Sequence, residues 1–306
     1  MQSACIGGLM ELAERDQNVL YLTADSGEGG LDRMFRRYFP ERSFNFGIAE
    51  EHMVAAAAGM ALSGKIPFVY TAAPFLAYRA FEFIRNDICL QNLPVKLIGT
   101  GSGLSVSSLG ATHHSTEDIG VLRCLPNLRI LSPATAKQTA ACMKNAYYHP
   151  GPVYIRLGMH GAPEFMGDEK ALPEHGYDIL CEGGDIGILT TGEILEEVTA
   201  AADLLRQHGI SATVVDVSVL KPFDTEVFHR QLSDIRTICT VEEHSICGGL
   251  GSIAAETIAS AGLDKRLIRI GLHDRFSRGY GTLSQLRKEN GLDAAAIAGA
   301  IREAYV

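Results

Sequence analysis

Short apolar runs rich in β-branched residues alternate along the chain with segments whose apolar residues recur at helical spacing. In the first half the predicted strands are 18–25, 67–71, 95–100, 128–133 and 153–157, and the predicted helices are 49–63, 75–92, 116–123 and 135–148. In the second half the predicted strands are 186–192, 212–218, 235–241 and 267–272, and the predicted helices are 193–208, 224–232 and 249–261. Strands separated by helices favour parallel sheets, so the pattern predicts an α/β fold of two consecutive parallel-sheet domains with helices on both faces.

A stretch of different composition separates the two halves. Residues 159–184 are rich in glycine, proline and charge and lack sustained periodicity, which is typical of a linker. We place the linker at 164–182 and the two domains at 1–163 and 183–306. Because parallel sheets bind ligands at the carboxyl ends of their strands, we expect functional residues in the loops that follow strands.

Composition and charge narrow the function classes. The 306 residues are 46% hydrophobic and 21% charged, as in an ordinary globular protein. The net charge of -9 disfavours binding to nucleic acid or to anionic lipid. The longest apolar run, 53–62, is far shorter than the roughly 20 residues that cross a bilayer. Acidic residues at 11, 14 and 16 disfavour a secretion signal, so we expect a cytoplasmic protein.

Two acidic residues lie where a predicted Ala-rich helix begins. Glu50 and Glu51 precede small residues that permit close packing. The favourable interaction of carboxylates with a helix N-terminus explains their position without any further role. The two side chains are about 100° apart around the helix, so we expect only one of them to serve a given site.

The string FNFGIAEEHMVAAAAGMALSG, residues 44–64, resembles a motif of transketolases and the related deoxyxylulose phosphate synthases. These enzymes place it, typically as Gly-Ile-Ala-Glu, at the pyrimidine ring of thiamine diphosphate. The resemblance implies that Glu50 is the catalytic acid, which hydrogen-bonds N1′ of the aminopyrimidine. The second half also resembles the family, notably in TTGEILEEV, VVDVSVLKPFD and VEEHSICGGLGSIAAE. The glycines at 248–251 depart from a dinucleotide-binding fingerprint, and we interpret them as a site of close packing.

Three aromatic residues follow the next predicted strand at three-residue spacing. Phe75, Tyr78 and Phe81 would share one face of a helix, which suits a core stripe as well as a cofactor contact. Transketolases stack the aminopyrimidine on the ring of a Phe-Leu pair at this point, and Phe75-Leu76 is similar to that pair. The resemblance implies that Phe75 is the platform, worth about 0.5–1.5 kcal/mol beyond burial, and it makes Tyr78 and Phe81 further candidates for cofactor binding.

A Gly/Ser-rich loop after the strand 95–100 carries two adjacent histidines. Adjacent histidines rarely share one ion, and no Cys/His/Asp set at ligand spacing accompanies them, so we predict no metal site in this chain. The Thr-His before an acidic helix, followed by Leu-Pro-Asn-x-x-x-x-x-Pro, resembles the transketolase pattern. That resemblance implies that His113 is catalytic and touches the reacting substrate oxygen, where an imidazole can donate and carry a proton.

Two positions carry weaker similarity, and two depart from the family. Asp25 in TADSG resembles an aspartate near the thiazolium, although an acidic turn residue explains it equally well. Arg156 in GPVYIRLG resembles the arginine that holds substrate phosphate, although a surface ion pair is the alternative. Leu109 replaces a carboxylate that binds a substrate hydroxyl, and 100–102 (Thr-Gly-Ser) replaces a cationic phosphate-binding residue. Both departures predict a substrate that is less hydroxylated or lacks phosphate.

The resemblance covers the last two of the three domains of a transketolase. The missing first domain carries the Gly-Asp-Gly … Asn segment that holds magnesium and the cofactor diphosphate, and this sequence offers no convincing set of oxygen ligands for Mg²⁺. The resemblance therefore implies thiamine diphosphate and Mg²⁺ as cofactors, with the metal and diphosphate held mainly by a separate N-terminal subunit. It further implies a heterotetramer with two copies of each chain.

Three function classes follow from these observations. The leading hypothesis is a transferase that moves a two-carbon unit from a ketose or 2-oxo acid donor to an aldehyde-like acceptor. The second is decarboxylating acyl transfer, as in deoxyxylulose phosphate synthase or the beta subunit of a 2-oxo acid dehydrogenase. The third is a non-catalytic partner subunit, against which Glu50, Phe75 and His113 argue.

Overall fold

The structure is a computed structural model that describes residues 1–26, 30–164 and 176–305. Its helices are α1 (Gln2–Arg15), α2 (Gly30–Tyr38), α3 (Glu50–Leu62), α4 (Phe81–Phe83), α5 (Asp118–Leu122), α6 (Ala136–Tyr148), α7 (Leu195–Gln207), α8 (Thr225–Gln231), α9 (Leu250–Ser260), α10 (Leu283–Glu289) and α11 (Ala294–Tyr305). Its strands are β1 (Val19–Thr23), β2 (Ser43–Asn45), β3 (Ile66–Ala72), β4 (Lys96–Thr100), β5 (Arg129–Leu131), β6 (Val153–Leu157), β7 (Tyr177–Cys181), β8 (Ile186–Thr190), β9 (Ala212–Val217), β10 (Val219–Lys221), β11 (Thr237–Ser245) and β12 (Arg266–Leu272). Turns of 3-10 helix cover Pro40–Arg42 and Gly192–Ile194, and π-helical turns cover Phe75–Arg79 and Ile84–Cys89.

The first sheet has seven strands in the order β10-β5-β6-β4-β3-β1-β2. From β5 to β2 the neighbouring strands are parallel, whereas β10 is antiparallel to β5. Both faces of the sheet are apolar because its strands are buried between helices. On β1, Leu20 and Leu22 belong to a core shared with α3, whereas Val19 and Tyr21 belong to a core shared with α1 and α6.

The second sheet has five strands in the order β12-β11-β8-β9-β7, all parallel except the edge strand β7. Helices α7 and α11 cover one face. The core on the other face continues into the first domain, since Val215 on β9 and Val54 on α3 belong to the same cluster of buried residues. The predicted α/β fold of two sheets with helices is confirmed, with one antiparallel edge strand added to each sheet.

The boundary between the halves is less simple than the sequence pattern indicates. Residues 177–181, inside the predicted linker, form β7 and pair with β9 of the second sheet, while 165–175 lie outside the described residues. Strand β10 comes from the second half but pairs with the first sheet, with Val219 opposite Leu131. Only Ser218 separates β10 from β9, so the apolar pattern does not show the change of sheet and the sequence analysis misses it.

Local chemistry fixes where several helices begin. Helix α6 starts with a capping box in which Thr135 and Gln138 exchange hydrogen bonds, worth about 1 kcal/mol. At the start of α9 the buried carboxylate of Glu242 accepts from the backbone nitrogens of Leu250 and Gly251 at 2.7 and 2.8 Å. A Cβ atom on Gly249 would collide with that carboxylate. The glycines at 248–251 therefore serve close packing, and an anion cannot use these N–H groups.

Candidate active site

Glu50, Arg79 and Phe75 meet at the start of α3. The carboxylate of Glu50 is only 1% exposed, and Arg79 Nη1 donates a hydrogen bond of 2.5 Å to its Oε2 atom. The guanidinium carbon of Arg79 also lies 4.7 Å from the centre of the Phe75 ring, within cation–π range. A buried carboxylate, a flat cation and an aromatic face therefore share one small site.

His113 forms a T-shaped contact with the same aromatic ring. It lies in the loop that follows β4, and its ring centre is 5.2 Å from that of Phe75 at an interplanar angle of 70°. The hydroxyl of Thr112 is 3.0 Å from His113 Nδ1, which helps to fix the orientation of the imidazole. Phe75 thus contacts both Arg79, the partner of Glu50, and His113.

The segment after β3, which carries Phe75, Tyr78 and Phe81, is not a regular α-helix. The chain forms π-helical turns at Phe75–Arg79 and Ile84–Cys89, which contain more residues per turn than an α-helix. Phe75 contacts Arg79, the partner of Glu50, while Phe81 is a half-buried residue packed against the main core. The cofactor contact of Phe81 stays a prediction.

Tyr78 turns toward Glu117 instead of Phe75. Its hydroxyl donates to Glu117 Oε2 at 2.8 Å and accepts from the Glu117 backbone nitrogen at 3.0 Å. Burial, followed by the nearby carboxylates of Asp118 and Glu117, raises the pKa of Tyr78 well above its ordinary value, so the phenol stays neutral. Tyr78 lines a cavity together with Pro74, Thr112 and His114, and its cofactor contact stays a prediction.

Arg156 is buried and fully engaged, and this geometry does not support the phosphate-binding role suggested by resemblance. It is 3% exposed, and its Nε atom donates to both carboxylate oxygens of Asp118 at 3.1 and 3.0 Å. Its Nη2 atom donates to the backbone carbonyls of Ser115 and Glu243, the latter in the second domain. Arg156 thus joins α5, the histidine loop and β11.

Asp25 and Leu109 lie at the periphery of the cluster. Asp25 follows β1 with a left-handed φ of 53°, and its backbone nitrogen donates to Asn45 Oδ1 at 3.1 Å. The same Asn45 oxygen accepts from Gly47, in the turn that leads to Glu50. Leu109 is 50% exposed in the histidine loop. The structure therefore gives Asp25 a role in the turn before Glu50 and leaves Leu109 at the surface.

Sequence reasoning missed two residues of this site. Arg79 stands inside the aromatic segment, where a cation among apolar residues was the available signal. Asn45 stands at a strand end, where asparagine commonly organises a turn.

Two kinds of feature are absent from the residues that the structure describes. Among these residues, no group of three or more His, Cys, Asp or Glu side chains is placed to hold a metal ion. None of the described helices has the length and apolar character needed to span a membrane.

Comparison with family models gives the same two halves as the fold. Residues 1–160 match the transketolase pyrimidine-binding domain, and residues 176–297 match the transketolase C-terminal domain. The chain belongs to the transketolase family. Members of this family depend on thiamine diphosphate, and the two matched domains correspond to the two sheets described above.

Three transketolase relatives illustrate how much of each protein is shared. The chain is 39% identical over 297 residues to a putative transketolase C-terminal section of Methanocaldococcus jannaschii, covering 96% of this chain and 93% of the relative. It is 39% identical to one subunit of an apulose-4-phosphate transketolase of Actinobacillus succinogenes, covering 90% and 89%. A 1-deoxy-D-xylulose-5-phosphate synthase of Thermomicrobium roseum is 35% identical, and the match covers 95% of this chain but 46% of the synthase.

A solved structure shows the same fold at similar length. A split-gene transketolase, described as an inactive β4 tetramer, is 37% identical and superposes with a TM-score of 0.88. The match covers 99% of this chain and 97% of that chain. Transketolase chains of this length therefore exist as separate polypeptides.

Proposed function

We propose that this chain is the pyrimidine-binding subunit of a split transketolase-type transferase that depends on thiamine diphosphate. The enzyme moves a two-carbon unit from a ketose or 2-oxo acid donor to an aldehyde acceptor. The observation that carries the proposal is that the guanidinium of Arg79 both bonds the buried Glu50 carboxylate and lies over the Phe75 ring. A carboxylate costs free energy to bury, so such a residue is retained for a partner.

The residues of the site fit an aminopyrimidine ring. The guanidinium of Arg79 is a flat hydrogen-bond donor that binds Glu50 and covers Phe75, which are the two contacts such a ring requires. Because the Arg79 side chain is 38% exposed, it can turn into solvent and leave both contacts to another flat group. Arg79 thus marks the place and the orientation that the aminopyrimidine would take.

The residues of this chain have separate tasks in the proposed reaction. Thiamine diphosphate, when bound, carries the two-carbon unit between donor and acceptor. Glu50 hydrogen-bonds the ring nitrogen of the pyrimidine and holds a proton there, and Phe75 fixes the plane of the ring. His113, whose ring contacts Phe75, gives or takes a proton at the substrate oxygen. The donor loses one carbon–carbon bond and the acceptor gains one, so a ketose donor needs no external oxidant.

A second chain completes the proposed enzyme. The metal and the diphosphate need a set of oxygen and backbone N–H ligands, and we assign these to an N-terminal subunit. The relatives named as a C-terminal section and as one subunit of a transketolase support this division, as does a β tetramer that is described as inactive. We expect two copies of each chain in the active assembly.

Decarboxylating acyl transfer is a second candidate, because the synthase of Thermomicrobium roseum shares 35% identity over most of this chain. Release of carbon dioxide from pyruvate by the reconstituted assembly would favour this reaction. Turnover of a ketose without release of carbon dioxide would favour ketol transfer.

The proposal is tested by replacing Glu50 in the reconstituted assembly. We expect Glu50→Gln to lower turnover by at least about 100-fold, the usual size of a general acid–base contribution. Glu51→Gln is the matched control on the same helix and should retain activity. Unchanged turnover in the Glu50→Gln assembly would contradict the proposed function.

A further inference from the structure

A second feature of the site is a cavity of about 230 Å³ between the two domains, here called the interdomain pocket. Its lining includes Pro74, Thr112, His114, Glu117, Phe276 and Ser277. Pro74 directly precedes the ring-stacking Phe75, and Thr112 is the residue whose hydroxyl lies 3.0 Å from His113. The interdomain pocket therefore opens beside the place where the substrate oxygen would react.

His114 is the unusual group in this pocket. Its side chain is 4% exposed, and neither ring nitrogen has a hydrogen-bond partner among the described residues. Buried polar atoms are nearly always hydrogen-bonded, because the loss of water costs free energy that a partner must offset. A buried imidazole that borders a cavity and lacks a partner points to a ligand that supplies one.

The surroundings of His114 define the chemistry of that ligand. Burial, then the neighbouring His113, lowers the pKa of His114, so its ring is neutral and offers one donor and one acceptor. The carboxylate of Glu117 in the pocket wall disfavours an anion, and it is held there by Tyr78 and Thr116. The apolar walls of Pro74 and Phe276 disfavour a densely charged group. An uncharged hydroxyl group on a short carbon chain meets all three conditions.

We infer that His114 is a substrate-binding residue that hydrogen-bonds a hydroxyl group of the acceptor aldehyde in the interdomain pocket. The inference rests on the proposed function and adds the class of acceptor, an uncharged hydroxyaldehyde. A water molecule occupies about 30 Å³ in the liquid, so the pocket has room for the few atoms beyond the aldehyde carbon. Phe276 and Ser277 give the second domain a direct part in substrate selection.

The kinetic test compares two acceptors of equal carbon number in the reconstituted assembly, with hydroxypyruvate as the common donor. D-glyceraldehyde has hydroxyl groups and propanal has none. We expect His114→Leu to raise the KM for D-glyceraldehyde about tenfold or more and to leave the KM for propanal within about twofold, because the variant loses a hydrogen bond that propanal never makes. His114→Gln, whose amide also donates and accepts, should stay near the wild type for both acceptors.

Two controls make the outcome decisive. His229→Leu removes an exposed histidine of α8 and should change neither KM. His114→Gln, which keeps a donor and an acceptor at the same position, is the second control and should match the wild type for both acceptors. An equal effect of His114→Leu on both acceptors, or no effect on either, would overturn the inference.

A binding measurement separates this inference from the proposed function. The chain labelled with ¹⁵N-histidine is titrated with D-glyceraldehyde in the absence of any donor, and His114→Gln identifies the His114 signals. We expect the His114 ring nitrogens to shift and those of His229 to stay in place. If the His114 signals shift but the reconstituted assembly does not turn over hydroxypyruvate, the proposed function alone is contradicted. If the assembly turns over hydroxypyruvate but the His114 signals do not shift, the role of His114 in the interdomain pocket alone is contradicted.

Discussion

Arg79 donates a 2.5 Å hydrogen bond to the buried carboxylate of Glu50 while its guanidinium covers the face of Phe75. These are the two groups that would hold the pyrimidine ring of the cofactor. In the proposed complex Arg79 and the cofactor compete for one place, and the cofactor displaces the contact between Arg79 and Glu50.

Removal of this competitor should strengthen cofactor binding. We expect Arg79→Met to lower the dissociation constant of thiamine diphosphate in the reconstituted assembly by about tenfold, which corresponds to about 1.4 kcal/mol. Isothermal titration calorimetry measures the constant directly. Arg85→Met is the matched control, since Arg85 is exposed on the same segment and bonds Asn86. Weaker cofactor binding in Arg79→Met would show that the arginine supports the cofactor.

The histidine beside Phe75 gives a second prediction. We expect His113→Ala to lower kcat about 100-fold while cofactor affinity changes little, because the imidazole serves the substrate oxygen. Thr112→Val should have a smaller effect, since it removes only the contact at Nδ1 that orients the ring. Steady-state kinetics and calorimetry on the same preparations check both parts. A large loss of cofactor affinity in His113→Ala would contradict this division of tasks.

The sequence predicts the alternating strands and helices at the centre of each domain. The apolar run 67–71 lies within β3, and the Ala-rich segment 49–63 contains α3. The terminal helices α1 and α11 are not predicted, nor is β10, which only Ser218 separates from β9. The edge strand β7 was missed because glycine, proline and charge dominate its surroundings. Short edge pairs depend on contacts between distant segments, which periodicity does not report.

The site could be predicted where chemistry and strand ends coincide. Glu50, Phe75 and His113 were all expected, and the structure brings them together. Helical spacing places Phe75, Tyr78 and Phe81 on one face, but it does not predict the π-helical turns of this segment. Arg156 was assigned to a ligand, yet its partners Asp118 and Glu243 come from elements distant in sequence. His114 was visible only as the neighbour of His113, and its missing partners are a property of the folded chain.

The buried Asp216 should make the stability of the folded chain fall as the pH rises from acidic to neutral. It is fully buried on β9, and burial raises its pKa to about 7, opposed by the hydrogen bond from Gln138 and assisted by Asp178. The folded chain then keeps a proton that the unfolded chain releases above about pH 4. Stability from this group is complete below that pH and is lost as the pH rises toward 7.

The test compares urea unfolding of wild type and Asp216→Asn between pH 4 and 7. We expect the free energy of unfolding of wild type to fall relative to Asp216→Asn by up to about 1.4 kcal/mol per pH unit. Asp264→Asn, at an exposed position, is the control and should run parallel to wild type. Parallel curves for Asp216→Asn would show that Asp216 is ionised in the folded chain.

The buried Lys96 should make the stability of the folded chain rise with pH above neutral. Its side chain is fully buried, its Nζ atom donates to the carbonyls of His149 and Gly151, and burial lowers its pKa to about 7. Above pH 7 the unfolded chain binds a proton that the folded chain lacks. The stability from Lys96 therefore rises from pH 7 toward about 10.4, where the unfolded lysine also loses its proton.

Urea unfolding between pH 7 and 10 checks this rise. We expect Lys96→Met to lack the increase of up to about 1.4 kcal/mol per pH unit that wild type gains from this group. Lys144→Met, at an exposed position of α6, should keep it. A rise of equal size in Lys96→Met and wild type would contradict the assignment.

Strand β10 limits how the two halves can be exchanged or produced separately. Without 219–221, the first half would present the bare edge of β5 to solvent, and open strand edges recruit other chains. Lys221 adds a further tie, since its ammonium group bonds the carbonyls of Arg123 and Leu125. Consider a hybrid protein that takes its first half from one family member and its second half from another, joined near residue 170. Its first sheet would come from one parent, and the β10 strand that covers the edge of β5 would come from the other. Such hybrids should misassemble unless the graft includes residues 219–221 of the parent that supplies the first half.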